Sequence, residues 1–124
     1  MFANIIYLTD QHEDNFDYGT LIITISAADV MDMNKSGNML IFIKTLIAGG
    51  AKKIVFDMEG LEVIDSSGIS LLIETANLIR QNKGDIALFN APLWMQKVFD
   101  SFKLQLFIHM YNNRDAMINF FRYV

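Results

Sequence analysis

At 124 residues, with 52% hydrophobic and 19% charged side chains, the chain has the size and composition of one folded domain spanning 1–124, which excludes a disordered tail or linker. A mean hydropathy of +0.27 calls for a search for membrane spans, but the purest apolar run, 39–43, ends at Lys44, far short of the ~20 residues a spanning helix needs. With a formal charge of −4 and its Lys and Arg scattered, the chain has no basic stripe for a phosphate backbone, so nucleic acid is not an expected partner.

Beta and helical periods alternate along the chain, the pattern of an α/β domain. Residues 4–8 and 20–26 are predicted strands, and neighbours this close in sequence usually pair antiparallel. Between them, 10–19 carries Asp10, Glu13, Asp14 and Asp17. This is a solvated connection or, as the less common alternative, a contact surface for a basic partner. Residues 38–48 form a predicted helix closed by Gly49-Gly50. Its inner face holds Met39, Phe42, Ile43 and Leu46, with Leu40 and Ile47 flanking and Ile41 pointing away. Residues 53–58 read as a strand buried on both faces or at a sheet centre, because Ile54, Val55 and Phe56 run without alternation. Residues 60–64 then lead through Asp65-Ser66-Ser67-Gly68 into a long helix ending near Gln81, with Asn82-Lys83-Gly84 as its stop. The next strand is 85–90. Asn90 is placed to cap a third helix, with Pro92 in its first turn, running to about Phe102. Residues 106–110 are the final strand, and Asn112 or Asn113 caps a last helix ending near Tyr123. The expected order is β-β-α-β-α-β-α-β-α: a mixed sheet of about five strands with four helices, the later strands parallel through right-handed crossovers.

The informative segment is the one that opens the second helix. Either Asp65 or Ser66 suits the cap, since a short side-chain oxygen accepts a free N–H of the first turn. In both cases the Ser66 hydroxyl lies at the helix end, and Gly68 keeps the first turn low. Capping chemistry alone accounts for the tetrad as a helix start. Its flanks add more: Val63-Ile64 before it and Ile69 with Leu71-Leu72-Ile73 after it squeeze four polar or small residues between buried segments. That places them at the edge of a sheet, where parallel-sheet proteins put function. Ile69, Leu72, Ile73, Ala76 and Ile79 form one apolar stripe for the core. Leu71 and Leu78 lie nearly opposite, with Thr75 between them. These are ordinary scattered surface residues or a docking face beginning at Ser66 and running through Leu71, Thr75 and Leu78.

Other chemistries are poorly supported. No cysteine is present, which removes disulfides, thiolate nucleophiles and cysteine-bearing zinc sites. The N-terminus has neither the basic start nor the apolar core of a secretory signal, so a cytoplasmic location is expected. His12 and His109 have no ligand spacing and read as a loop and a strand histidine. No metal and no cofactor are expected. A serine hydrolase would need one of those two histidines beside Ser66, and G-x-S-x-G is missing. A nucleotide site lacks any G-x-x-x-x-G-K loop.

The segment Ile64-Asp65-Ser66-Ser67-Gly68-Ile69 resembles the phosphorylation loop of the STAS domain family, specifically its bacterial anti-sigma factor antagonists. Supporting matches are Lys52-Lys53-Ile54-Val55-Phe56-Asp57, Gly84-Asp85-Ile86-Ala87-Leu88 and Lys97-Val98-Phe99-Asp100, and the resemblance covers about 4–122. It implies that Ser66 is phosphorylated by an anti-sigma factor that is also a serine kinase. It makes Asp65 the acidic neighbour that caps the helix and contacts that partner, and Ser67 and Gly68 the rest of the recognition loop. Unphosphorylated antagonists of this kind bind the anti-sigma factor and free a sigma factor; a phosphatase resets the modified form. Such a protein is a binding module and kinase substrate, with no catalysis of its own. STAS subunits of stress-signalling or lipid-transport assemblies, never phosphorylated at this serine, are the alternative. Two departures stand out. Many members carry Gly-x-apolar-Asp after the second strand, whereas 26–32 lacks the glycine and leaves Asp29 or Asp32 as the counterpart. Lys103 stands where a glycine often follows the third helix.

Overall fold

The computed structural model describes residues 2–7, 21–26, 29–31, 33–122 and 124. The acidic connection 10–19, His12 and Asp32 lie outside them. The elements are β1 (Phe2–Tyr7), β2 (Leu21–Ser26), β3 (Asp29–Met31), α1 (Met33–Ala48), β4 (Lys53–Asp57), β5 (Leu61–Ile64), α2 (Ser66–Gln81), β6 (Asp85–Phe89), α3 (Leu93–Ser101), a short 3-10 turn (Leu104–Leu106), β7 (His109–Tyr111) and α4 (Arg114–Phe121). The main sheet has the order β1-β2-β4-β6-β7. β1 pairs antiparallel with β2, and the other neighbours are parallel.

This order explains where the helices lie. From β2 to β4, β4 to β6 and β6 to β7 the chain steps across the sheet in one direction. Right-handed crossovers then place α1, α2 and α3 on one face. Burial agrees. Ile23, Ile25, Ile54, Phe56, Ile86 and Leu88 share one core with Ile43 of α1, Leu72 and Ile79 of α2, and Phe99 of α3. The alternate residues Ile22, Val55 and Ala87 meet Met117 and Phe121 of α4 on the other face. β4, at the sheet centre, is therefore apolar on both sides, which is why its sequence shows no alternation.

Several boundaries differ from the sequence reading. α1 begins five residues earlier, at Met33, and runs through Gly37, where a Cβ would meet nothing within 4 Å. Its buried face is Met39, Ile43 and Ile47, and Phe42, expected inside, is exposed. Gly50, at φ 110, closes the helix, its N–H donating to Ile47 O at 3.0 Å and that of Ala51 to Leu46 O at 3.0 Å. Pro92, not Asn90, is the N-cap of α3, and Asn90 takes φ 56. The last strand starts at His109, three residues later than expected, because 104–106 coil into the 3-10 turn. Lys103 there adopts φ 56, the left-handed region a glycine would occupy without steric cost. Asn113 rather than Asn112 caps α4, accepting from Ala116 N–H at 3.1 Å.

The largest departure is a second, two-stranded sheet of β3 and β5. Strands of three and four residues are too short to carry a period. They follow β2 and β4, already parallel neighbours, and pair parallel in turn, with Met31 opposite Ile64. The ribbon thus prolongs the β2–β4 pair beyond its C-terminal ends and delivers the chain to the starts of α1 and α2 side by side.

Candidate functional site

Asp57, the last residue of β4, accepts from the backbone N–H of Glu59 at 3.1 Å and so holds the turn into β5. The N–H of Met58 donates to Phe89 O at 2.8 Å, fixing that turn to the end of β6. β5 then ends at Ile64, and Asp65 is the N-cap of α2. Its backbone is extended, and its carboxylate accepts from Gly68 N–H at 3.0 Å. Of the two caps the sequence allowed, the structure selects Asp65.

Ser66 is consequently the first residue of α2, and it is exposed; Ser67 is half-buried and Gly68 buried. The serine stands at the helix N-terminus, where unpaired N–H groups and the macrodipole favour negative charge. Asp65→Ala is expected to lower stability by about 1 kcal/mol by freeing the Gly68 N–H, measurable as a shift in the urea midpoint at constant slope.

The docking face drawn down α2 from the sequence does not survive. Leu71 is 3% exposed, Thr75 fully buried and Leu78 half-buried. Leu71 and Leu78 join the core shared with α1, which lies alongside α2. Thr75 is accommodated there because its hydroxyl donates to Leu71 O at 2.7 Å, one turn back. Ile69 and Ile73, assigned to the core stripe, are only half-buried. A helix covered by both a sheet and a neighbouring helix buries more than one stripe, and a single-period reading assigns the extra face to solvent.

Between α1 and α2, towards their N-termini, lies a groove of about 400 Å³. Gly37 and Leu40 line it from α1; Ser66, Ser67, Ser70 and Glu74 line it from α2, over Leu71. The sequence reading missed this groove, because it depends on the spacing of two helices. The signal available in the sequence was Ser66, Ser67, Ser70 and Glu74 at 3–4-residue spacing, one polar flank of a helix. Asp29 opens β3 opposite Leu61, beside the strand that leads to Asp65.

His109 does not join the site. It lies on β7 against Phe120 of α4, ring centroids 4.8 Å apart, on the sheet face opposite α2. Among the described residues no group of three or more potential metal ligands comes together, and no helix is long and apolar enough to cross a membrane.

Comparison with known proteins gives a consistent result. No functionally curated protein matches the chain. Among solved structures it is similar to the anti-sigma factor antagonist SpoIIAA in its unphosphorylated form. That match has a TM-score of 0.68 at 21% identity and covers 90% of this chain and 96% of that one. It is also similar to an anti-sigma factor antagonist from Mycobacterium paratuberculosis, with a TM-score of 0.71 at 18% identity, covering 96% and 95%. A third match is the murine anion transporter Slc26a9, with a TM-score of 0.64 at 16% identity, covering 89% of this chain but 19% of the transporter. At these identities the likenesses establish the fold. A family model described as the STAS domain matches residues 1–117, and the chain belongs to the STAS domain family.

Proposed function

We propose that this protein is an anti-sigma factor antagonist. Unphosphorylated, it binds an anti-sigma factor with serine kinase activity and so releases a sigma factor; phosphorylation of Ser66 ends that association, and a phosphatase restores it. The observation that carries the reading is the exposed Ser66 hydroxyl at the start of α2, held in place by the Asp65 cap. The protein acts as a binding module and kinase substrate, with no reaction of its own. Asp65, Ser66, Ser67 and Gly68 form the contact loop, with Asp29 or Asp32 on the neighbouring segment. Solved structures of SpoIIAA in both unphosphorylated and phosphorylated forms have this fold, which supports the reading.

The switch operates at the interface. A phosphate adds about −1.5 to −2 charges. The helix N-terminus favours an anion by roughly 0.3–1 kcal/mol, and the neighbouring Asp65 carboxylate opposes it, so the local terms nearly cancel. Docking is different, because a partner closing over the loop must strip water from a dianion lying beside a carboxylate, at a cost of several kcal/mol unless the charge is paired.

Pull-down of the partner by wild type, Ser66→Ala and Ser66→Asp tests this, together with intact mass after incubation with the recovered kinase and ATP. Retention by the alanine variant, weakening by the aspartate variant and a single added phosphate on wild type alone are expected. Phosphate added equally to Ser66→Ala overturns the assignment. The likeness to a STAS region within Slc26a9 favours a second reading, a subunit of a larger assembly whose binding and output are indifferent to every change at Ser66.

A further inference from the structure

The groove between α1 and α2 has chemistry beyond the serine at its mouth. Its two ends differ. At Ser66 the helix N-terminus favours negative charge, an effect that fades within one turn. Glu74 lies two turns further on, ~12 Å along the helix axis, and among the described residues is the one charged side chain lining the groove. It is exposed, and among the described residues it makes no ion pair or hydrogen bond through its side chain. From Ile54 to Ile79 the sequence holds Asp57, Glu59, Glu62, Asp65 and Glu74 and no Lys or Arg. Of the two lysines on α1, Lys35 and Lys44, Lys44 lines the next depression along, with Leu78 and Asn82. Between Ser66 and Glu74 the floor is apolar, made by Leu40 and Leu71, and Ser70 stands one turn before Glu74.

The geometry points to an arginine side chain of the protein partner as the occupant of this groove, its guanidinium on Glu74 and Ser70 and its aliphatic stem on Leu40 and Leu71. This rests on the proposed function only in taking that partner to be a protein. An arginine stem covers apolar surface while its head stays polar. Its planar fork reaches a carboxylate and a hydroxyl together, which a lysine ammonium does less well. The Glu74 carboxylate lies farther from Ser66 than the ~8 Å screening length at physiological salt. Its contribution to binding is therefore about the same whether or not Ser66 carries a phosphate: Glu74 sets affinity and Ser66 sets the switch.

The test uses the isolated full chain and is independent of any kinase. Amide NMR spectra of the protein are recorded during titration with Nα-acetyl-arginine amide and, separately, with its neutral isostere Nα-acetyl-citrulline amide. The arginine compound is expected to shift the amides of Leu40, Ser67, Ser70 and Glu74, the citrulline compound to leave them in place. Glu74→Gln should weaken the arginine effect about three- to fivefold, the scale of one solvent-accessible charge pair, while Asp100→Asn, at an exposed position of α3, leaves it unchanged. Equal shifts with citrulline, shifts spread over the acidic surface and insensitive to Glu74→Gln, or no groove response to arginine each overturn the proposal. None of these outcomes bears on whether Ser66 is phosphorylated. Conversely, a phosphorylation-indifferent protein that still binds arginine at Glu74 loses the switch and keeps the groove.

Discussion

Protein phosphorylated at Ser66 is expected to bind its anti-sigma partner at least about a hundredfold more weakly than the unmodified form, with its fold unchanged. The magnitude follows from the cost of burying an unpaired dianion, several kcal/mol, since a hundredfold in affinity corresponds to about 2.7 kcal/mol. The unchanged fold follows from the local geometry. Ser66 is exposed and its hydroxyl is not the cap; the Asp65 carboxylate, 3.0 Å from Gly68 N, keeps that duty after modification. Calorimetry with the two forms measures the first part. Amide spectra measure the second, with changes expected at 64–70 and none in the sheet. Equal affinity of the two forms would refute the switch, and a refolded 60–70 segment would move its mechanism from the interface into the domain.

The second large effect is on stability. Gly84→Ala is expected to destabilise the protein by about 2–4 kcal/mol, the cost of forcing atoms into a packed site. A Cβ at this position would lie 2.3 Å from Lys52 O and 2.8 Å from Ile79 Cγ1. Neither neighbour is free to retreat. The Lys52 carbonyl accepts from Asp85 N–H at 2.9 Å, where β6 starts beside β4, and Gly84 N–H donates to Ile79 O at 2.8 Å to close α2. Arg80 adds to the constraint, its Nε 3.0 Å from Asp85 Oδ1 and its Nη2 2.6 Å from Phe107 O. Here glycine is required by close approach; the left-handed turn residue is Lys83, at φ 65. Gly37→Ala gives the contrasting sign, a gain of roughly 0.5–1 kcal/mol, because the position is helical and open. Urea unfolding of the two variants beside wild type separates these outcomes. Near-equal stability of Gly84→Ala and wild type would mean that the Lys52 backbone yields.

The sequence by itself determined what depends on neighbours in the chain. Ile54, Val55 and Phe56 marked a strand with no solvent face, Gly49-Gly50 and 82–84 marked the ends of α1 and α2, and Asp65-Ser66-Ser67-Gly68 marked a helix start with a hydroxyl beside its cap. These are local effects of backbone angle, capping and alternation, and they hold before any tertiary contact forms. Leu71, Thr75 and Phe42 were beyond its reach: the first two are buried and the third exposed because α1 and α2 pack against each other as well as on the sheet. The β3–β5 ribbon was equally hidden, since seven residues in two pieces acquire their identity only by pairing. The groove from Ser66 to Glu74 exists only because that ribbon sets two helix N-termini side by side. A period along one helix reports which way its side chains point, whereas the number of neighbours that meet them is decided when the whole chain packs.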